Sequence, residues 1–253
     1  MKINFLGTGT SQGVPLIGCD CNVCKSIDAH DKRLRSSIFL QKDNFNLLID
    51  PGPDFRQQML RLGINHLETI FITHSHMDHI GGIDDIRSFN FIMKKAMDIY
   101  ALKRDQDKIR QSHSYIFEKT PYPGIPQIEF HDINFNKITV GPFEVDNLRI
   151  WHHKMEIAGF RFNNFAYITD AKTIPQETLE KLKGVEYLVI NALRKEPHIS
   201  HLNLEEAFSY INIIKPKKTW LTHISHKMGL HKEISKELPE NVFLAYDGLE
   251  IEV

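Results

Sequence analysis

Thr73-His74-Ser75-His76-Met77-Asp78-His79 crowds three imidazoles and one carboxylate into the six positions from His74 to His79, directly behind the apolar run Leu67 to Ile72 and ahead of Gly81-Gly82. A β-branched run that ends in such a cluster reads as a strand delivering metal ligands from its C-terminal tip. Strand alternation points His74 and His76 the same way. Asp78 and His79 fall in the turn, free to face a second ion. A polar surface loop is the alternative. Imidazoles and carboxylates packed this closely repel and desolvate one another unless cations join them, and that favours metal.

Further ligand types stand at other strand ends. His152-His153 follows an apolar run ending at Trp151, Asp170 follows Phe165 to Thr169, and His223 follows Trp220 to Thr222. A lone histidine at any of these places is more often hydrogen-bonded core or surface, but four strand ends carrying ligands imply one shared rim. Seven ligands exceed the needs of one ion. They suit two ions about 3.5 to 4 Å apart, bridged by a carboxylate and a hydroxide.

The three cysteines, Cys19, Cys21 and Cys24, all fall in one short loop. An odd, crowded set in a chain with no export signal points to thiolates on a soft metal more than to disulfides, with three reduced thiols as the alternative. A closed zinc site wants four donors, so a fourth must come from elsewhere in the chain.

Short strands alternate with helices, and no repeat or linker divides the 253 residues, which predicts one domain over 1–253. Ile3 to Leu6 is a strand, and Ile38 to Leu40 pairs with Leu47 to Ile49 across Asp43-Asn44. Pro53 opens a helix through Phe55, Met59 and Leu62, which Gly63 closes. From Arg87 to Pro126 the pattern blurs; its aromatics beside Pro and Gly fit either a lid or dimer contact near the site, or a peripheral packed helix. Strands resume at 128–130, 138–140, 143–151, 159–162 and 165–169, a succession that predicts a second, antiparallel sheet. A helix carries Leu179 and Leu182, a strand runs from Tyr187 to Ile190, and Asn203 with Glu206 starts a helix lined by Ala207, Phe208, Ile211 and Ile214. After the Trp220 strand come a helix near Lys232 to Leu238 and a closing hairpin turned at Asp247-Gly248. The architecture expected is α/β: two mixed sheets packed together with helices outside.

Charge narrows the partners. Thirty-one basic residues are offset by 32 acidic ones, for a net charge of -1, which argues against nonspecific nucleic-acid affinity and leaves room for a small anionic substrate. Met1-Lys2 leads straight into a strand, and no stretch is long enough to cross a bilayer, so a cytoplasmic chain without membrane contact is expected.

The Thr-His-Ser-His-Met-Asp-His segment resembles the H-x-H-x-D-H motif of the metallo-β-lactamase superfamily, over nearly the whole chain. Within it, Gly7-Thr8-Gly9 followed by Ser11-Gln12-Gly13-Val14-Pro15, the Cys-x-Cys-x-x-Cys cluster, Asp50 and Leu221-Thr222-His223-Ile224-Ser225-His226 resemble the phosphoribosyl 1,2-cyclic phosphate phosphodiesterase group of the carbon–phosphorus lyase pathway, related to the tRNA 3′-processing nucleases. The resemblance implies an αββα sandwich and a hydroxide held by two divalent ions, Mn²⁺ or Zn²⁺. It puts His74, His76 and His153 on one ion, Asp78, His79 and His223 on the other, and Asp170 between them. His153 is chosen because its spacing to Gly159 matches the family's; His152 is the alternative. The same resemblance assigns Cys19, Cys21, Cys24 and His226 to a structural Zn²⁺ and makes Asp50 an orienting aspartate.

A phosphodiester's leaving oxygen needs a proton, and His198-Ile199-Ser200-His201 offers two imidazoles, of which His201 resembles the catalytic histidine of neighbouring families and His198 is the second choice. Lys154 is a candidate for holding a phosphate oxygen, or simply an exposed lysine. The function expected is hydrolysis of a small cyclic phosphate or phosphodiester, with a homodimer compatible. A tRNA 3′-end endonuclease and a non-catalytic metal-binding or redox module are the alternatives.

Overall fold

The computed structural model describes residues 1–118 and 122–253. Pro121, which opens the Pro and Gly stretch noted above, lies outside them. Among the described residues, fourteen strands form two sheets of seven. β1 (Lys2–Gly7), β2 (Ser37–Lys42), β3 (Phe45–Ile49), β4 (Thr69–Phe71), β5 (Met97–Ala101) and β6 (Ile128–Asp132) belong to the first. β7 (Lys137–Val140), β8 (Phe143–His152), β9 (Met155–Phe162), β10 (Phe165–Ile168), β11 (Tyr187–Asn191), β12 (Lys218–Thr222) and β13 (Val242–Leu244) form the second, and β14 (Glu250–Glu252) returns to the first. The helices are α1 (Asn22–Lys25), α2 (Phe55–Leu62), α3 (Met77–Ile80), α4 (Arg87–Met93), α5 (Lys103–Ser112), α6 (Gln176–Lys181), α7 (Leu204–Ile214) and α8 (His231–Glu237).

Strand order is β14-β1-β2-β3-β4-β5-β6 in one sheet and β13-β12-β11-β10-β9-β8-β7 in the other. In each sheet antiparallel pairing on one side gives way to parallel pairing on the other: β3 to β6 in the first, β10 to β13 in the second. The expected antiparallel second sheet is therefore mixed. Alternation explains the layers. Ile38, Leu40, Leu47, Ile49 and Phe71 face Phe160, Phe162, Tyr167, Val189 and Trp220 between the sheets. Phe39, Leu48 and Ile70 face outward under α2, α4 and α5. Leu188, Ile190 and Leu221 do the same under α6, α7 and α8. Strands buried on both faces read as continuous apolar runs, which is why they were legible. Truncating a fully buried ring such as Phe71, which lies between the sheets, would cost about 3 to 5 kcal/mol.

Two expectations need correcting. The closing strands are no hairpin: β13 pairs with β12 and β14 with β1, so the Asp247-Gly248 turn carries the chain from one sheet to the other. The physical reason is Asp247, whose carboxylate accepts the Thr8 amide and hydroxyl and the Leu34 amide and so ties the turn to β1. Residues 87–112 of the blurred segment match the packed-helix alternative, with a strand added that the pattern did not show. They build α4, α5 and, between them, β5, a strand inside the first sheet with Met97, Ile99 and Ala101 buried. Among the described residues, no helix is long and apolar enough to cross a membrane.

Candidate metal centre

Parallel strands bring their carboxyl ends to one rim, the usual place for a site in such sheets. Asp50 follows β3, the His74 loop follows β4, Asp170 follows β10 and His223 follows β12. Main-chain bonds stitch the two sheets together there: the Ala158 amide donates to the Thr73 carbonyl at 2.9 Å and the Ile224 amide to the Thr8 carbonyl at 2.9 Å. Asp50, Asp170 and His223 each adopt a left-handed backbone, with φ of 63°, 57° and 55°. For residues other than glycine this is an uncommon conformation, and here it marks the point where each chain leaves its strand.

Three side-chain groups can each converge on one point: His74, His76 and His152; Asp78, His79, Asp170 and His223; and His152, Asp170 and His201. The first group corrects the sequence assignment. His152, not His153, joins His74 and His76. His152 is the last residue of β8 and sits in register with Ile150, on the buried side, while His153 begins the exposed two-residue turn to β9 with φ 53°. Lys154, the other turn residue, is exposed as well.

Asp50 organises the first ligands. Its carboxylate accepts the Thr73 amide at 2.8 Å, the Thr73 hydroxyl at 2.7 Å and the His79 Nδ1 proton at 2.7 Å. Because the Thr73 hydroxyl proton is committed to Asp50, its oxygen accepts from His74 Nδ1 at 3.0 Å. The His74 Nε2 lone pair is thereby left facing His76 Nδ1, 3.0 Å away. Burial holds His74 well below the ordinary imidazole range and lowers His76 too. The turn itself is pressed against the loop that follows Asp50: a Cβ at Gly52 would collide with the Asp78 carbonyl, and one at Gly82 with the Gly52 carbonyl and Phe55.

Asp170 organises the rest. His79 Nε2, His223 Nδ1 and His201 Nδ1 lie 3.3, 3.2 and 3.5 Å from its carboxylate oxygens, yet all three are buried without a hydrogen-bond partner. His79 Nε2 also lies 3.2 Å from Asp78. Orphaned buried nitrogens converging on carboxylates are what a cation would satisfy, since ion–nitrogen bonds of about 2.0 to 2.1 Å put donor atoms about 3 Å apart. Burial opposes charge on His79, but Asp78, Asp170 and Asp50 raise its proton affinity well above the ordinary value. Those carboxylates favour a proton on His79, and a cation bound there would compete with it. Asp78 is held low and Asp170 well below the carboxylate range by the same histidines, against the burial that would raise them.

His201 enters this cluster, and burial pushes it down to about 3. His198 stands one ring behind, 5.1 Å from it between centroids. Sequence reasoning missed three supporting hydroxyls: Thr73, Thr169, which donates to Asp170 at 2.7 Å, and Thr10, 3.3 Å from His223 Nε2. A signal was present for two of them, because Thr73-His74 and Thr169-Asp170 put a threonine directly before the ligand type, while Thr10 is distant from His223 in the chain.

The second centre brings together Cys19, Cys21, Cys24 and His226. His226 Nδ1 lies 3.3 Å from the Cys19 sulfur and 3.4 Å from that of Cys21. The Cys24 amide donates to the Cys21 sulfur at 3.5 Å and the Leu16 amide to that of Cys24 at 3.4 Å. The first of these bonds, with His226, lowers the Cys21 thiol to about 6, while burial raises Cys24 to about 11. Three sulfurs and an imidazole are the donor set of a closed zinc site, and the residues present fit that ion.

Comparison with known proteins agrees with this geometry. The family model of the beta-lactamase superfamily domain matches residues 45–224. The chain is 41% identical over 253 residues to a protein of Porphyromonas gingivalis named octanoyltransferase, and spans 51% of its length. It is 27% identical over 201 residues to a ribonuclease Z of Saccharolobus islandicus, covering 77% of this chain and 58% of that one. Among solved structures, a diphosphatase of the PhnP family superposes with a TM-score of 0.93 and 39% identity, over 100% of this chain and 97% of that one. Zinc-bound PqqB of Methylobacterium extorquens, at 18% identity and TM-score 0.81 over 100% of both chains, shares the fold. With two seven-stranded mixed sheets between helices and ligand types at their shared rim, the chain belongs to the metallo-β-lactamase superfamily and, within it, to the PhnP family.

Proposed function

We propose that the chain is a metal-dependent hydrolase that cleaves a P–O bond in a small phosphodiester or diphosphate. The observation that carries this reading is Asp170, whose carboxylate stands among the orphaned nitrogens of His79, His201 and His223 while the imidazole of His152 packs against the same residue. His74, His76 and His152 would hold one divalent ion and Asp78, His79 and His223 a second, with Asp170 shared. Such a pair neutralises phosphoryl oxygens and makes water a nucleophile near neutral pH.

The protein's own groups set the rest. Asp50 and Thr73 fix which nitrogen of His74 and of His79 stays free, so the ligands need no rearrangement. Burial pushes His201 down to about 3, so the neutral ring would assist the leaving oxygen as an N–H hydrogen-bond donor, with the proton itself supplied by solvent. Asp170 lies 3.5 Å from its Nδ1, which sets the ring beside the proposed ligands. The 39% identity to a PhnP-family diphosphatase supports a diphosphate or related diester as substrate class, and the phosphoribosyl cyclic phosphate remains within that class.

An endonuclease like ribonuclease Z is the second reading, favoured by the 27% identity to that enzyme. Against it stand the net charge of -1 and the absence of a long basic run, which argue for a small anionic substrate. Assay of bis-p-nitrophenyl phosphate, a cyclic nucleotide, a dinucleoside diphosphate and a precursor tRNA, with Mn²⁺ and Zn²⁺ in turn, separates the readings. Turnover of the small substrates that is lost in Asp170→Ala is expected. Cleavage of the tRNA alone would install the second reading, and an inert protein with both ions bound would defeat both.

A further inference from the structure

The segment that looked least readable in sequence supplies a buried carboxylate to the ligand loop. Because β5 runs parallel to β4, its C-terminal end reaches the same rim, and the first turn of α5 lies beside the residues after β4. From that turn Asp105 accepts the Ser75 amide proton at 3.1 Å through Oδ1. Asp105 is 1% exposed, and its other oxygen, Oδ2, is buried without a hydrogen-bond partner, with only Arg104 Nε at 3.6 Å. Burial accordingly raises its proton affinity. A first-turn aspartate that served only the helix dipole would do so from the surface, where it is worth about 0.3 to 1 kcal/mol and costs no desolvation.

We propose that Asp105 is a positioning residue for the metal-ligating loop: by holding the Ser75 amide it fixes the peptide between His74 and His76, and with it the spacing of their ring nitrogens. This rests on the reading that those imidazoles hold an ion. The bond constrains the backbone rotations on either side of Ser75, which are the ones that set the direction of the two flanking side chains. His74 is further anchored by Thr73, but among the described residues the only hydrogen bond of the His76 ring is the one to His74. A loose Ser75 would therefore be felt chiefly at His76.

The test compares wild type, Asp105→Ala and Asp105→Asn, with the exposed Asp107→Ala as the control for damage to α5. Asp105→Ser replaces the alanine variant where that does not fold, since serine is too short to reach the Ser75 amide. Readouts are Mn²⁺ and Zn²⁺ dissociation constants by competition with a chromophoric chelator, melting of the metal-free protein, and kcat and KM on bis-p-nitrophenyl phosphate. Asp105→Ala should weaken one of the two rim ions by roughly ten- to a hundredfold and lower kcat more than it raises KM, with the thiolate zinc retained. Asp105→Asn keeps an acceptor oxygen in place and should restore affinity to within a few-fold of wild type. Wild-type affinity in Asp105→Ala, or an Asn variant as weak as the Ala variant, overturns the role. A wild type that binds no ion outside the thiolate cluster overturns the metal-site reading, and this role with it.

Discussion

His152 Nδ1 lies 2.8 Å from the main-chain carbonyl oxygen of Asp170. A carbonyl only accepts, so the proton sits on Nδ1 and the lone pair of Nε2 is directed away from that bond, toward His74 and His76, with which His152 forms a candidate ion site. One contact therefore sets the tautomer of one candidate ligand and ties it to the residue proposed to be shared by both halves of the site.

From this relationship the two adjacent histidines should separate cleanly. His152→Ala should lose at least one catalytic ion and reduce turnover by several orders of magnitude, whereas His153→Ala, in an exposed turn, should stay within a few-fold of wild type in both. Metal analysis of the two purified variants decides the matter. A metal-deficient His153→Ala beside an unaffected His152→Ala would reverse the assignment.

Asp50 makes a different prediction, because it touches no site that an ion would occupy and acts through Thr73 and His79. Asp50→Ala removes the acceptor of the Thr73 amide and hydroxyl protons and leaves His79 Nδ1 with only the Thr73 oxygen at 3.5 Å, costing about 1 to 3 kcal/mol for each donor left unpaired. Melting of the metal-free variant should drop, and its affinity for catalytic ions should weaken by roughly ten- to a hundredfold. Unchanged ion affinity in a folded Asp50→Ala would show that the imidazoles are oriented by packing alone.

What was legible in the sequence follows from burial. Strands covered on both faces, such as β3, β4 and β11, leave unbroken apolar runs, and after β4, β10 and β12 candidate ligands stand close behind the point where those runs stop. The His152 and His153 question was not legible, because adjacent residues at a strand end differ only in register, and one step in register exchanges the buried face for solvent. β5 was missed although Met97, Ile99 and Ala101 alternate with Asp98 and Tyr100; five residues between Lys94-Lys95 and a polar helix give too short a signal. The switch of β13 and β14 between sheets depends on Asp247 finding amides far away in the chain, which no local pattern records. Asp105 carries no signal of its own in the blurred segment, because only the fold brings it beside Ser75.

The thiolate cluster should behave independently of catalytic loading. Cys21→Ser removes a sulfur that lies 3.4 Å from His226 Nδ1 and accepts the Cys24 amide, so one zinc per chain should be lost and the melting temperature should fall by several degrees. Catalytic ions should remain, although His223 lies only three residues before His226, because Ile224 and Ser225 between them are pinned by the Thr8 carbonyl and the Leu193 carbonyl. Loss of all ions together in Cys21→Ser would mean that this pinning is too weak to insulate the two centres.

His231 gives the stability a pH dependence away from either centre. Its Nδ1 lies 3.2 Å from Nη2 of the buried Arg33, and since a guanidinium only donates, that nitrogen must be an unprotonated acceptor. Burial first, and then the Arg33 charge, push the imidazole from 6.5 down to about 4. Within that interval the unfolded chain binds a proton that the folded one refuses, so this contribution is intact above pH 6.5 and is lost as pH falls toward 4. Asp247, raised to about 6 by burial, works in the opposite sense: the folded state protonates first, and its contribution weakens as pH rises from 3.8 to about 6. Asp247 is common to wild type and His231→Gln, so comparing urea unfolding of the zinc-loaded pair at pH 7 and pH 5 isolates the histidine. Allowing for partial exposure of the ring, wild type should lose on the order of 1 kcal/mol more than His231→Gln over that interval. Parallel losses in the two proteins would mean that His231 takes up its proton as readily in the folded state as in the unfolded chain.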